Sequence, residues 1–443
     1  MLENVFRALD DPDEFFLDPK TNLLYVYPNA TSANPTGLRD LSLAVLDKYI
    51  IIDGASDITI SNVGFKDSAA TYMNEWRVPS GGDWALHPGG VVQISNSSRI
   101  TIDHCVFHRL DGNAIFLSGR TRDVKIQRNR FEWLGENAIT LWGETEGYDA
   151  TKGEQPYDTL IEGNVMRELG IFQKQSSAVF LSKASRTVIR HNIMFNMPRA
   201  AINFNDMTGG GDRVHRNLIF NTCRESGDHG PINTWDRMPF LTTLRTGKPS
   251  FQPLYRVISD NFLFGNYGAG FALDNDDGSS WYKVHRNVLY QSEGFKMDYG
   301  GHDSHYEHNI VIALPDEGKC INFGSFLEGH AHVVQNNKCL VATPGAASEE
   351  PIPPIIALAS CDGPTPVLRK NEYFTLSGTA MATCAYQSDA ISFADFQHKG
   401  LEVNSTVHKL PEDGTTIVQW CQQLLFESNK TRQKSWSPGT VII

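Results

Sequence analysis

The sequence predicts an all-β protein, a right-handed parallel β-helix: a solenoid of about eleven rungs with inserted loops and a short C-terminal helix. Three observations carry this. A unit of about two dozen residues recurs along the chain, inside the roughly 20 to 50 residue window of solenoid repeats. Apolar residues within the unit alternate with period two rather than 3.6, which excludes leucine-rich and helical repeats. An Asn then falls at the same place in unit after unit.

Each unit reads as a short apolar strand, a turn, a second strand running to the Asn, and a third short strand. NAIFLSGRTRDVKIQRNRFEWLGE (113–136), SSAVFLSKASRTVIRHNIMFNMPR (176–199) and GFKMDYGGHDSHYEHNIVIAL (294–314) superimpose without gaps around it. Asn129, Asn164, Asn192, Asn217, Asn261, Asn287, Asn309 and Asn371 share that place, with Cys105 substituting in an earlier unit. Asn tolerates left-handed backbone, and its amide can bond an identical amide one rung above, so a stacked ladder is expected to satisfy each sharp turn. The units divide the chain into a lead-in (1–47), the β-helix (48–378) and a C-terminal cap (379–443). Residues 137–170 and 229–261 exceed the repeat length and carry insertions at 144–157 and 238–253. TTIVQWCQQLLF (415–426) has helical apolar spacing and is expected to close the open end of the core.

Composition narrows the function. The chain has 443 residues, 39 Lys+Arg against 51 Asp+Glu, a formal net charge of −12 and 40% hydrophobic residues. That is enough apolar content for a large core, and an acidic balance that repels phosphates, so disorder and a nucleic-acid partner are excluded. No apolar run reaches the roughly 20 residues of a membrane span. A monomer is expected. Seven Cys are too sparse for a disulfide scaffold and form no CxxC metal site. Cys105 and Cys223 read as buried thiols, while Cys320, Cys339, Cys361, Cys384 and Cys421 leave room for one or two disulfides. Sequons at Asn29, Asn96, Asn404 and Asn429 tilt the expectation toward an extracellular or secretory-pathway protein whose signal segment is not in this chain.

In the first strand of each unit the inward positions are expected at Ile115 and Leu117, Ile139 and Leu141, Val179 and Leu181, Ile202 and Phe204, Phe271 and Leu273, and Phe295 and Met297. One outward column then reads Gln93, Phe116, Thr140, Phe180, Asn203, Asn233, Ala272, Lys296, Asn322. The other reads Ser95, Ser118, Trp142, Ser182, Asn205, Trp235, Asp274, Asp298, Gly324. A solvated sheet face would favour Lys, Glu and Thr. Here Asn, Trp and Asp gather on the later rungs, which suits a sugar: the flat ring stacks on a pyranose and the amides and carboxylates hold its hydroxyls. Candidate catalytic residues are Asp228, Asp236, Asp274, Asp276 and Asp298, tuned by His229 and Lys296. Candidate substrate-binding residues are Arg199, Asn203, Asn205, Asn233, Trp235, Arg237 and His302.

Three sharper motifs fail on spacing. In DNDDG (274–278) the glycine falls one place early for an EF-hand and His285 stands where its Glu belongs, so only an irregular calcium site stays open and no cofactor is expected. His302, His305 and His308 lie on a strand-like stretch where they do not converge as on a helix, so no metal is assigned. The glycines at 209–211 lack the Lys-Ser/Thr of a phosphate loop.

FFLDPKTNLLYVYP (15–28), IIIDGASDITISNVGF (50–65), PRAAINFND (198–206), CRESGDHGPINTWDR (223–237) and DDGSS (276–280) together resemble the pectate-lyase-like superfamily, and more narrowly its β-helix glycoside hydrolases of the family 141 type. Members usually carry further strands before the lead-in, so the resemblance implies a truncated chain. The RxPxxR setting of pectate lyases and the DPH tripeptide of mannuronan epimerases are absent. The expectation is a glycoside hydrolase acting on an oligo- or polysaccharide through an Asp pair. The alternatives are a polysaccharide lyase or uronate epimerase, using Lys296, Arg237, His229 and His302, and a non-catalytic glycan-binding β-helix. Placing Asp274 and Asp298 in one column leans the expectation toward retention of configuration.

Overall fold

The computed structural model describes residues 4–30, 42–77, 84–144, 154–205, 209–235, 254–267, 270–276, 278–298, 301–313, 318–324, 326–342, 354–385 and 388–426. Its strands build three long sheets, the first, second and third in the order each rung visits them having 13, 11 and 12 members. Ile139–Trp142, Leu160–Glu162 and Val165–Arg167 make up one rung. The next begins in parallel register above it, with Ile139 opposite Val179 and Leu141 opposite Leu181. Strands are three to five residues long because only one or two inward side chains fit between corners. Those side chains fill the core: Ile115, Leu117, Ile126 and Phe131 are fully buried, and Phe65, Phe107 and Phe131 stack ring on ring at 4.7 and 4.8 Å. Each such residue stabilises the fold by roughly 1.5–3 kcal/mol.

The ladder forms at the corner between the second and third strands of each rung, on the inside. Asn192 donates its backbone N–H and its Nδ2 to Asn217 Oδ1, both at 3.0 Å, and Nδ2 also donates to Ile161 O at 3.0 Å. The same pattern runs unbroken from Asn129 through Asn164, Asn192, Asn217, Asn261, Asn287 and Asn309. It continues through Asn337, a member the sequence alignment passed over, to Asn371. At the start Cys105 donates its N–H to Asn129 Oδ1.

One expectation about the ladder is corrected. The left-handed residue is the one before each Asn: Arg128, Gly163, His191, Arg216, Asp260, Arg286, His308, Asn336 and Lys370 all have φ between 52° and 68°. The ladder Asn must point its amide inward, so the chain reverses one residue earlier, where an exposed or half-buried side chain is accommodated at about 1–2 kcal/mol.

At the far end Asn371 finds no further Asn. Its N–H goes to Ser405 Oγ and its Nδ2 to the buried Glu402 carboxylate, which also accepts from Tyr373 Oη at 2.6 Å. Strands continue past residue 378, with Met381–Thr383 in the first sheet and Thr406–Lys409 in the third. Helix Phe393–His398 inserts Phe393 and Phe396 into the main core. Helix Gly414–Phe426 forms as predicted but does not close the end. Its Ile417, Trp420, Cys421, Leu424 and Leu425 lie on Val288, Ile310, Leu340 and Phe374, an outward apolar patch on the third sheet. A stripe that wide matches a sheet side better than the narrow end of the solenoid.

Cys320–Cys339 and Cys361–Cys384 form disulfides, while Cys105 and Cys223 are buried thiols and Cys421 is half-buried and free. Residues 1–45 form a separate compact unit, a hairpin of Phe15–Asp18 and Leu23–Val26 whose Phe16 and Tyr25 pack edge-on against Phe6. Among the described residues no helix is long and apolar enough to cross a membrane.

Candidate functional site

The first sheet's outward face carries the polar stripe, with one shift in register. Asn233 pairs with Asp274, and Asp274 with Lys296. Ala272 is therefore not in the outward column. It is a buried corner residue, as Ala114, Ala138, Ala178 and Ala201 are in earlier rungs. The first inward residue of the next rung comes ten positions after the ladder Asn at Asn192–Ile202 but twelve at Asn261–Leu273, and this longer corner is what shifts the expected register by two. The corrected column reads Asn203, Asn233, Asp274, Lys296, Asn322. Asp274 and Asp298 thus do not share a column, and Leu273 and Asn275, rather than Phe271 and Leu273, point inward. Asn275 donates to Thr234 Oγ1 and accepts from Tyr306 Oη, both at 2.9 Å, inside the solenoid.

Lys296 is the centre of the site. Its Nζ lies 2.9 Å from Asp274 Oδ1, 3.3 Å from Asp298 Oδ2 and 3.7 Å from Asp276 Oδ1. Burial works against the ammonium, but Asp274, Asp276 and Asp298 together outweigh it and hold its pKa above lysine's ordinary value. Asp274 is 2% exposed, and Asn233 Nδ2 donates to its Oδ2 at 3.1 Å. Asn203, one strand further on, is fully buried, and neither of its amide atoms has a partner among the described residues; Asn233 Oδ1 is likewise unpaired. Buried amides without partners cost roughly 1–3 kcal/mol each, and a ligand with hydroxyl groups would relieve that.

A second group approaches from the loop before strand Ile232–Trp235. An oxygen of Asp228, a ring nitrogen of His229 and an oxygen of Asp274 all lie within 4.8 Å of one another. His229 Nδ1 is 3.1 Å from Asp228 Oδ2. This bond, helped by the Lys296 and Arg199 charges, holds the Asp228 carboxyl down at about 2, although its side chain is 69% exposed. His229 itself is buried at φ 88°, a strained setting for a residue other than Gly, of the kind that clusters at functional sites. Cys223 Sγ donates to His229 O at 3.0 Å, and burial pushes that thiol up to about 12, so it braces the loop and does not serve as a nucleophile.

Arg199, buried, reaches Asp228 Oδ2 at 3.7 Å and lies against the His229 ring. Its guanidinium sits 4.4 Å above Trp84, which meets His229 edge-on at 5.6 Å. Trp84 was not a sequence candidate. It lies between rungs, in a stretch without periodicity. The available signal was indirect: Phe116, Trp142 and Phe180 point outward and need a cover, which Trp84 and Leu86 supply.

The segment bearing Trp84 is anchored at Glu136, a buried carboxyl that accepts from Thr71 Oγ1 at 3.3 Å and from the His87 backbone. Burial raises its pKa to about 8. Unfolded, Glu136 ionises near 4.5; folded, it keeps its proton until about 8, so its contribution to stability is full below 4.5 and is lost as pH rises toward 8. Glu136→Gln is expected to flatten the fall of the melting temperature between pH 5 and 8. Parallel melting curves of variant and wild type would contradict it.

Of the sequence candidates, Asp228, His229, Asp274, Asp276, Asp298, Lys296, Arg199 and Asn233 converge. Asn203 stands in their column, and Asn205, opposite Trp235, in the neighbouring one. His302 does not join them: it contacts Asp303, Trp281 and His330 at the next corner. Asp236, Arg237 and the expected roof at 238–253 lie outside the described residues.

A family model described as "Right handed beta helix region" matches residues 48–229. No curated protein matches the sequence. Among solved structures, one described as a glycoside hydrolase superimposes with a TM-score of 0.52 at 16% identity, covering 75% of this chain and 57% of that one. DFA-IIIase from Arthrobacter chlorophenolicus A6, in complex with DFA-III, gives 0.37 at 14% identity, covering 73% and 64%. The catalytic unit of a thermostable GH87 alpha-1,3-glucanase from Streptomyces thermodiastaticus strain HF3-3 gives 0.35 at 11%, covering 81% and 62%. The chain thus spans less than two thirds of each of these structures, and at such identities the first speaks for the fold alone. With its three stacked sheets and internal Asn ladder, the chain folds as a right-handed parallel β-helix.

Proposed function

We propose that the protein is a glycoside hydrolase acting on an uncharged glycan. The observation that carries this is a buried carboxylate, Asp274, held by Lys296 and Asn233 in the same sheet column as the buried, unpaired Asn203 amide. Asp274, held 2.9 Å from the Lys296 ammonium, is suited to be the nucleophile. Asp276 and Asp298 share that ammonium with it, and three carboxylates around one cation form the crowded set from which one member acts as acid. Asp228, pinned as a carboxylate by His229, is placed to orient the imidazole and to stabilise positive charge on the sugar. Asp274 and Asp298 contact one nitrogen at 2.9 and 3.3 Å, and Asp228 comes within 4.8 Å of Asp274. Both pairs are tighter than the roughly 6.5–9.5 Å of inverting enzymes, so retention is expected.

The reading agrees with the glycoside hydrolase whose fold the chain shares. A lyase or epimerase fits less well. It needs a cation to neutralise the uronate, whereas Lys296 is surrounded by carboxylates and four Asp side chains would repel a uronate. The two disulfides suit an oxidising, extracellular setting. The test is a screen of neutral, sulfated and uronic polysaccharides. New reducing ends from a neutral glycan, with the anomer retained in the first-formed product by NMR, are expected. Absorbance from unsaturated uronate would decide for the lyase instead, and binding without turnover for a glycan-binding β-helix.

A further inference from the structure

We infer a transition-metal site at His302, Asp303 and His330, separate from the Lys296 cluster. His302 and Asp303 stand at one corner and His330 comes from the following rung, a pairing that the spacing of His302, His305 and His308 does not reveal. Both imidazoles aim Nδ1 at a single oxygen: His302 at 2.8 Å and His330 at 2.6 Å from Asp303 Oδ2. The two rings lie 4.4 Å apart, inclined at 49°. The three donor atoms lie within 4.8 Å of one another, with Asp303 Oδ2 shared by both rings in place of an ion, and the His302, Asp303 and His330 side chains are 22, 21 and 38% exposed, so water can reach the cluster to complete a four-coordinate shell.

The set is built before any ion arrives. Asp303 is held at φ 54°. His302 N–H donates to Ser280 Oγ at 3.0 Å, and the buried His332 ring bridges Gly301 O at 2.7 Å and Ser304 N–H at 3.3 Å, clamping the turn from beneath. Trp281 walls one side of His302 at 6.0 Å. Two imidazoles and one carboxylate select Zn2+, Co2+, Ni2+ or Cu2+ over Ca2+. Asp298 follows strand Glu293–Met297 directly, and Gly301 N–H donates to Asp298 O at 3.2 Å, so the ion would pin the end of the proposed active site without taking part in chemistry.

The experiment is a calorimetric titration of the tag-free protein with Zn2+ after EDTA treatment, repeated by Co2+ absorption to read the ligands. One equivalent binding in the micromolar range is expected, with a visible Co2+ spectrum. His330→Gln should weaken binding at least tenfold, His302→Gln with His330→Gln should abolish it, and His229→Gln should leave it unchanged. Circular dichroism and melting in EDTA show that the variants remain folded. Absence of Zn2+ uptake at about 1 mM, equal binding in the double variant, or loss of the equivalent on His229→Gln would each overturn the assignment.

Discussion

Asn217→Ala is expected to destabilise the protein by about 3–5 kcal/mol. Asn217 Oδ1 is the acceptor for the backbone N–H and the Nδ2 of Asn192, and its own Nδ2 serves Ile189 O and Asn261 Oδ1, all between 2.9 and 3.0 Å. Removing the amide deletes these four bonds and leaves two buried donors of Asn192 without an acceptor, at roughly 1–3 kcal/mol each, and opens a small cavity besides. Arg213→Ala, an exposed change on the same rung, should stay within about 0.5 kcal/mol. Urea unfolding of both variants checks this. A loss below about 1 kcal/mol in Asn217→Ala would mean that the ladder is incidental to the fold.

Asp274→Asn is expected to lower kcat/KM by about 10²–10⁴-fold on whichever neutral glycan the screen identifies. The substitution keeps the shape and leaves Lys296 two carboxylate partners, Asp276 and Asp298, so the melting temperature should change little. Only the charge that attacks or stabilises the anomeric carbon is removed. Asp228→Asn should fall less, because the exposed Asp228 acts through His229. Equal activity of Asp274→Asn and wild type would remove Asp274 from the chemistry. If Asp298→Asn were silent too, glycan binding would become the better reading.

The solenoid was legible because its rule is local: period-two apolar strands and a recurrent Asn are visible in any window of two dozen residues. The site was legible as composition more than as geometry. Asp228, Asp274, Asp298 and Lys296 stood out as the wrong residues for a merely wetted face, yet their mutual placement depended on a register set by a corner of variable length between Asn261 and Leu273. Residues joined across rungs without a repeat position, such as Trp84 over Arg199 and His330 beside His302, leave no periodic trace. The helix at 414–426 shows the same limit: its pattern gives the helix and its apolar stripe, but the partner surface is set by Val288, Ile310, Leu340 and Phe374 far away in the chain.

The ladder also has a direction. Each amide donates toward the following rung, from Asn129 to Asn371, and the last donors are received by Ser405 and Glu402. Shortening leaves different groups at the two ends: an N-terminal cut frees one Oδ1 and one Nδ2 hydrogen that had served a carbonyl of the preceding rung, whereas a C-terminal cut leaves a buried backbone N–H and an Nδ2 hydrogen facing nothing. Any minimal version of this solenoid therefore has to retain the 402–405 turn, and a chimera that grafts extra rungs must insert them ahead of that turn with their Asn residues in step.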